Sequence, residues 1–161
     1  MYDFLYKQSS DESHHCVVVG DLNAEPFSDE IVEWFDSSRS RFHSRTRHHS
    51  DKDVSRARLY NVCWRLLGET TAHDGRNEKL ARAAGTYFYE KENSWHTLDQ
   101  ILVSRGLVCN EPPFLNESKC EILDLEVLLD SKGRPRRFEN IGDGVWAGCS
   151  DHFPVFASIC Y

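Results

Sequence analysis

The sequence has no apolar run approaching the roughly 20 residues that a membrane-spanning helix needs. Its opening, Met1-Tyr2-Asp3-Phe4-Leu5-Tyr6-Lys7, lacks the basic and then apolar regions of a secretory leader, so a soluble, cytoplasmic protein is expected. It lacks any C-x-x-C pair. The six cysteines, Cys16, Cys63, Cys109, Cys120, Cys149 and Cys160, are dispersed, mostly beside apolar residues. That predicts buried free thiols rather than a disulfide framework or a zinc site. An excess of positive charge is missing too: the formal net charge is -7, so the field of the whole molecule does not attract polyanions without a cation or a local basic patch. There is no internal repeat.

What is present suits one domain spanning 1–161, because 161 residues with 40% hydrophobic content can bury a core. Basic and small polar residues replace almost all apolar ones between Ser37 and Arg58, which reads as a flexible basic loop over 37–58. The apolar patterns elsewhere predict strands with a few helices. Cys16-Val17-Val18-Val19, closed by Gly20, reads as a strand buried on both faces. A helix capped by Ser28 is expected to carry Ile31, Trp34 and Phe35 on one face. A second helix is expected over Leu59, Val62, Cys63, Leu66 and Leu67, ended by Gly68 in a left-handed cap. Residues 1 to 8 read as the tail of a helix, and the stretch from Glu69 to Ala84 is ambiguous. Strands are expected at Thr86–Tyr89, at Leu98–Ser104 and from Phe153 to Tyr161, and Ile122 to Leu129 alternates acidic with aliphatic residues before a turn at Ser131–Pro135. The fold class is therefore α/β.

Three small polar clusters stand at the edges of these strands: Gly20-Asp21-Leu22-Asn23-Ala24-Glu25-Pro26, Thr97-Leu98-Asp99-Gln100 and Ser150-Asp151-His152-Phe153-Pro154-Val155. Strand ends are where a rigid scaffold presents reacting groups. Each cluster also has a plain reading. Asp21 and Asn23 can form a turn through their own backbone, Asp99 can be a surface carboxylate, and His152 a satisfied or exposed histidine. His14-His15 and His48-His49 sit in polar segments, as exposed histidines usually do. Trp95 and His96 could line a substrate pocket, and core packing explains Trp95 at least as well.

Taken together and in order, the clusters resemble the later motifs of the endonuclease/exonuclease/phosphatase superfamily: Gly-Asp-x-Asn-x-x-Pro, an aspartate in an apolar strand, then Ser-Asp-His-x-Pro-Val. Leu59-Tyr60-Asn61, Trp64, Gly85-Thr86-Tyr87 and the run from Asp99 to Ser104 are similar to segments of bacterial members. The resemblance implies half of a four-layer α/β sandwich, one mostly antiparallel or mixed sheet with flanking helices. It implies metal-dependent hydrolysis of a phosphate ester, of phosphodiesterase or nuclease type. Asp21 would orient and deprotonate the water, and Asn23 would hydrogen-bond the nucleophile or a phosphate oxygen. His152, held protonated by Asp99, would donate to the phosphate, and Asp151 would bind Mg²⁺ or Mn²⁺. The family's principal metal-binding glutamate lies upstream of the first motif, and only twenty residues precede Asp21 here. Expected partners are thus a phosphate-ester substrate, nucleic acid among the candidates, and either an N-terminal half or a second copy of the chain. The alternative is a non-catalytic phosphate- or nucleic-acid-binding half-domain on the same scaffold. A zinc-binding regulator is disfavoured by the absence of ligand spacing.

Overall fold

The computed structural model describes residues 15–45, 58–68, 83–109 and 111–161. The expected helix tail at residues 1 to 8, His14, the His48-His49 pair, most of the basic loop and nearly all of the ambiguous stretch from Glu69 lie outside them.

The central strand is β6 (Asp99–Val103), whose Gln100-Ile101-Leu102-Val103 is buried on both faces. It pairs antiparallel with β1 (Val17–Asp21) on one side and with β3 (Leu59–Asn61) on the other, and β3 pairs parallel with β2 (Ser37–Ser38). The sheet order is β1-β6-β3-β2. Ile101 and Val103 face one core, together with Tyr60, Leu115, Ile122 and Phe153. The other strands form β7 (Phe114–Ile122) with β10 (Val155–Cys160), and two hairpins, β4 (Tyr87–Tyr89) with β5 (Ser94–His96) and β8 (Glu139–Gly142) with β9 (Val145–Ala147). The β7–β10 pair supplies Leu115, Cys120 and Ile122 to the core, so two sheets enclose it. The α/β class holds, with more sheet than helix. No helix among the described residues is long and apolar enough to cross a membrane.

Several expectations give way here. Among the described residues β1 is an edge strand, and nothing there covers one of its faces: Val17 is 46% and Val19 60% exposed, where burial on both faces was expected. The helix after Ser28 is only a short π-helical turn, Glu30–Trp34, without a side-chain cap; Ile31 is fully buried, and Trp34 points outward. Leu59–Leu67 is not one helix. Leu59–Asn61 is strand β3, after which the Asn61 side chain accepts the Cys63 amide at 3.0 Å and caps a 3-10 turn over Val62–Leu66. Gly68 has no positive φ. The basic segment is structured at its start: Ser37 and Ser38 are buried in β2, and a helical turn follows at Arg41–Arg45. The long strand near the C-terminal third is β7, before the acidic alternation, which itself holds a 3-10 turn at Glu126–Leu128. All six cysteines are free, and burial pushes the Cys63 thiol up to about 12.

Candidate active site

In the β1–β6 register Asp21 stands opposite Asp99. The Leu22 amide donates to the Leu98 carbonyl at 2.9 Å, which places the hydrogen-bonded rungs at the neighbouring positions. Asp21 and Asp99 are thus a non-hydrogen-bonded pair, the kind whose Cα atoms lie about 4.5 Å apart and whose side chains come closest. Two carboxylates so placed repel. Each is given a partner. Nδ1 of His152 meets Oδ2 of Asp99 at 2.7 Å, and the two side chains are 20% and 16% exposed. Asp21 Oδ1 accepts the Asn23 amide at 2.9 Å and Oδ2 accepts Asn23 Nδ2 at 3.2 Å. Asn23 adopts φ 50, a left-handed conformation that asparagine tolerates. The plain turn reading of Asp21 and Asn23 is therefore realised, and it points both residues at the sheet end that carries Asp99.

His152 is seated by its neighbours. Phe153 is fully buried and stacks on Trp95 at 5.9 Å, and the Tyr87 ring lies 4.8 Å from the imidazole. Thr86, also fully buried, ties the parts together. Its amide donates to the His96 carbonyl at 2.8 Å, its carbonyl accepts the Phe153 amide at 2.7 Å, and its hydroxyl accepts the amides of Leu98 at 3.1 Å and Asp99 at 3.2 Å. Gly85 precedes it because a Cβ there would stand 2.6 Å from the His96 carbonyl oxygen. These contacts give Gly85-Thr86-Tyr87 a physical role that its composition alone does not reveal.

A second buried network holds the loop after Asp21. Gln100 donates from Nε2 to the Ala24 carbonyl and accepts Asn61 Nδ2 at 2.7 Å; both side chains are fully buried. Glu25 completes the anchoring, with Oε2 accepting the Thr97 amide at 3.2 Å and Oε1 meeting Nδ1 of His96 at 2.9 Å. Gln100, Asn61 and Glu25 stand inside the motifs of the sequence, which give them no role because their partners are distant in the chain. His96 was considered only as a pocket lining.

The structure thus brings Asp21, Asn23, Asp99 and His152 to one end of the sheet. Asp151 is exposed and lines a neighbouring cleft with three arginines. Among the described residues no three of His, Cys, Asp and Glu are arranged to hold a metal ion, so Asp151 does not by itself make a cation site. The arrangement sets the Asp21–Asn23 turn opposite the Asp99–His152 pair, and Nε2 of His152 has no hydrogen-bond partner among the described residues.

A model of the endonuclease/exonuclease/phosphatase family matches residues 3–160. No protein of curated function and no solved structure matches the chain.

Proposed function

The chain belongs to the endonuclease/exonuclease/phosphatase family, and from that premise we propose that it hydrolyses a phosphate ester, of phosphodiesterase or nuclease type, where Asp21 and Asp99 face each other. The observation that supports this best is the 2.7 Å contact of His152 Nδ1 with Asp99. A carboxylate on Nδ1 fixes the orientation of the ring and leaves Nε2 facing the site, from where the imidazolium donates Nε2–H to a phosphoryl oxygen as its charge builds. Asp21, across the strand pair, takes the proton of the attacking water, and Asn23 orients the water or a phosphate oxygen through its amide. Water oxygen bonds to phosphorus as the ester oxygen leaves in line.

Members of this family commonly use divalent metals. When bound, such an ion neutralises charge on the phosphoryl oxygens. We assign Asp151 as one ligand to Mg²⁺ or Mn²⁺, further ligands being required.

A second reading has one observation in its favour. Both oxygens of Asp21 are engaged by Asn23, which would suit a phosphate-binding half-domain without turnover. One experiment separates the two: hydrolysis of bis(4-nitrophenyl) phosphate with Mg²⁺ or Mn²⁺, for the parent chain, Asp21→Asn and His152→Ala. Turnover in the parent that both substitutions abolish supports the enzyme. A folded parent that binds phosphate in the presence of EDTA and turns nothing over supports the binding module instead.

A further inference from the structure

A second set of groups is aligned for proton transfer outside the constellation of Asp21, Asn23, Asp99 and His152. The Ser94 hydroxyl is 3.0 Å from Nε2 of His96, and Nδ1 of the same ring is 2.9 Å from Oε1 of Glu25. Serine, imidazole and carboxylate thus form one chain of hydrogen bonds, the order in which a hydroxyl is made into a nucleophile. With Nδ1–H donated to Glu25, Nε2 is the nitrogen that accepts the hydroxyl proton. The acid and the ring are both held in place. Glu25 Oε2 accepts the Thr97 amide at 3.2 Å, the His96 carbonyl accepts the Thr86 amide at 2.8 Å, and the Tyr89 ring meets the imidazole edge-on at 6.2 Å. Ser94 and His96 stand two residues apart on β5 and so share a face. Among the described residues the Ser94 hydroxyl has no partner other than His96. Access is at the serine end, because Ser94 is half-buried and directly follows the exposed turn from Glu90 to Asn93, while the Glu25 side chain is only 20% exposed.

We propose that Ser94, His96 and Glu25 form a second reactive centre, which hydrolyses a carboxylic ester through an acyl group carried on Ser94. Ser94 Oγ bonds to the acyl carbon and passes its proton to Nε2 of His96. The ester C–O bond breaks, and that proton goes to the departing oxygen, which leaves as an alcohol. Water then follows the same route. It gives a proton to Nε2 and bonds to the acyl carbon, and the bond to Oγ breaks as the proton returns to the serine, releasing a carboxylic acid. Ester and water are the only reactants. The surrounding charge decides which ester enters. Glu25 lies 2.9 Å from one ring nitrogen and Glu92 3.8 Å from the other. Lys91 is the cation of the turn, and Glu90 lies 3.6 Å from Arg134. Two carboxylates this close repel the anion of a phosphate ester and leave a neutral acyl ester unopposed. The centre therefore differs from the phosphoesterase site in its nucleophile, a side-chain hydroxyl, and in the charge of its substrate.

The test is rapid-mixing kinetics of 4-nitrophenyl acetate cleavage by the full chain, together with mass-spectrometric mapping of a fluorophosphonate label. The parent should release a burst of 4-nitrophenolate equimolar with folded chain and carry the label on Ser94. Ser94→Ala should remove both the burst and the label, and His96→Gln should slow the burst by about 10²-fold or more. Glu25 acts through His96, so Glu25→Gln should slow the burst by about tenfold and leave its amplitude per folded chain unchanged. A folded parent without a burst, a label on residues other than Ser94, a burst that survives Ser94→Ala, or a loss of amplitude per folded chain in Glu25→Gln would overturn the proposal.

Discussion

Among the described residues two carboxylate–imidazole pairs are of nearly equal length, Asp99–His152 at 2.7 Å and Glu25–His96 at 2.9 Å. They lie close together, since Tyr87 is the strand partner of His96 and forms a bridge with His152. They differ at the other ring nitrogen. Nε2 of His96 is 3.0 Å from the Ser94 hydroxyl and 3.8 Å from Glu92, whereas Nε2 of His152 has no such partner among the described residues. Glu25 spends its second oxygen on a backbone amide. The Glu25–His96 pair is a strut that closes the loop after Asp21 onto β5. The Asp99–His152 pair leaves Nε2 open to an incoming ligand. The short contact between acid and imidazole is common to both pairs; the surroundings of the far nitrogen are what tell them apart.

Substitutions probe that difference, and His152→Ala should have the largest effect. It should lower phosphodiester turnover by about 10³-fold, well beyond what its cost in stability explains, because a positioned proton donor contributes about 10²–10⁴-fold. Asp99→Asn keeps the shape and replaces the charged partner of His152 Nδ1 by a neutral one, so about 10²-fold is expected in the same kinetic assay. Thr86→Val strips the acceptor from the Leu98 and Asp99 amides, beside both pairs. It should cost about 2–3 kcal/mol in urea unfolding, with turnover falling as Asp99 loosens. His96→Ala should cost about 1–2 kcal/mol of stability and leave the turnover of folded protein within about tenfold. A loss as deep as that of His152→Ala would erase the distinction between the pairs. Ser94→Ala, which frees only the outer nitrogen of His96, should cost about 0.5–1 kcal/mol by the same unfolding measurement.

The candidate site was legible where its chemistry is local. Asp21 and Asn23 are two residues apart, and their turn follows from side chains that bond their own backbone. Asp99 heads an apolar run that could only be a strand, and His152 precedes a phenylalanine that anchors it in the core. Illegible were the features decided by partners far along the chain. Glu25 and His96 are 71 residues apart, and Gln100 reaches Ala24 across 76. Ser37-Ser38 has no strand propensity, and forms β2 because β3 offers a parallel edge. The spacing of Leu59, Val62 and Leu66 fits a helix, but pairing of Tyr60 and Asn61 with β6 outweighs it and leaves only the 3-10 turn. Three successive valines suggest a central strand; nothing in them says that β1 has one neighbour. The arginine cleft was missed because its residues straddle a turn and a hairpin.

The opposition of Asp21 and Asp99 makes the site subject to parity. Successive residues of a strand point to opposite faces, so Asp99 faces Asp21 only while the pairing of β1 with β6 keeps its present odd–even phase. Loss or gain of a single residue within β1 would turn Asp21 to the far side of the sheet and break its bonds to Asn23, while His152 would still meet Asp99. A change of two residues would preserve its face and only slide it along the strand. Insertions and deletions within β1 are thus filtered by whether they are even or odd, a rule that acts on the reading of the chain by the sheet rather than on any one side chain.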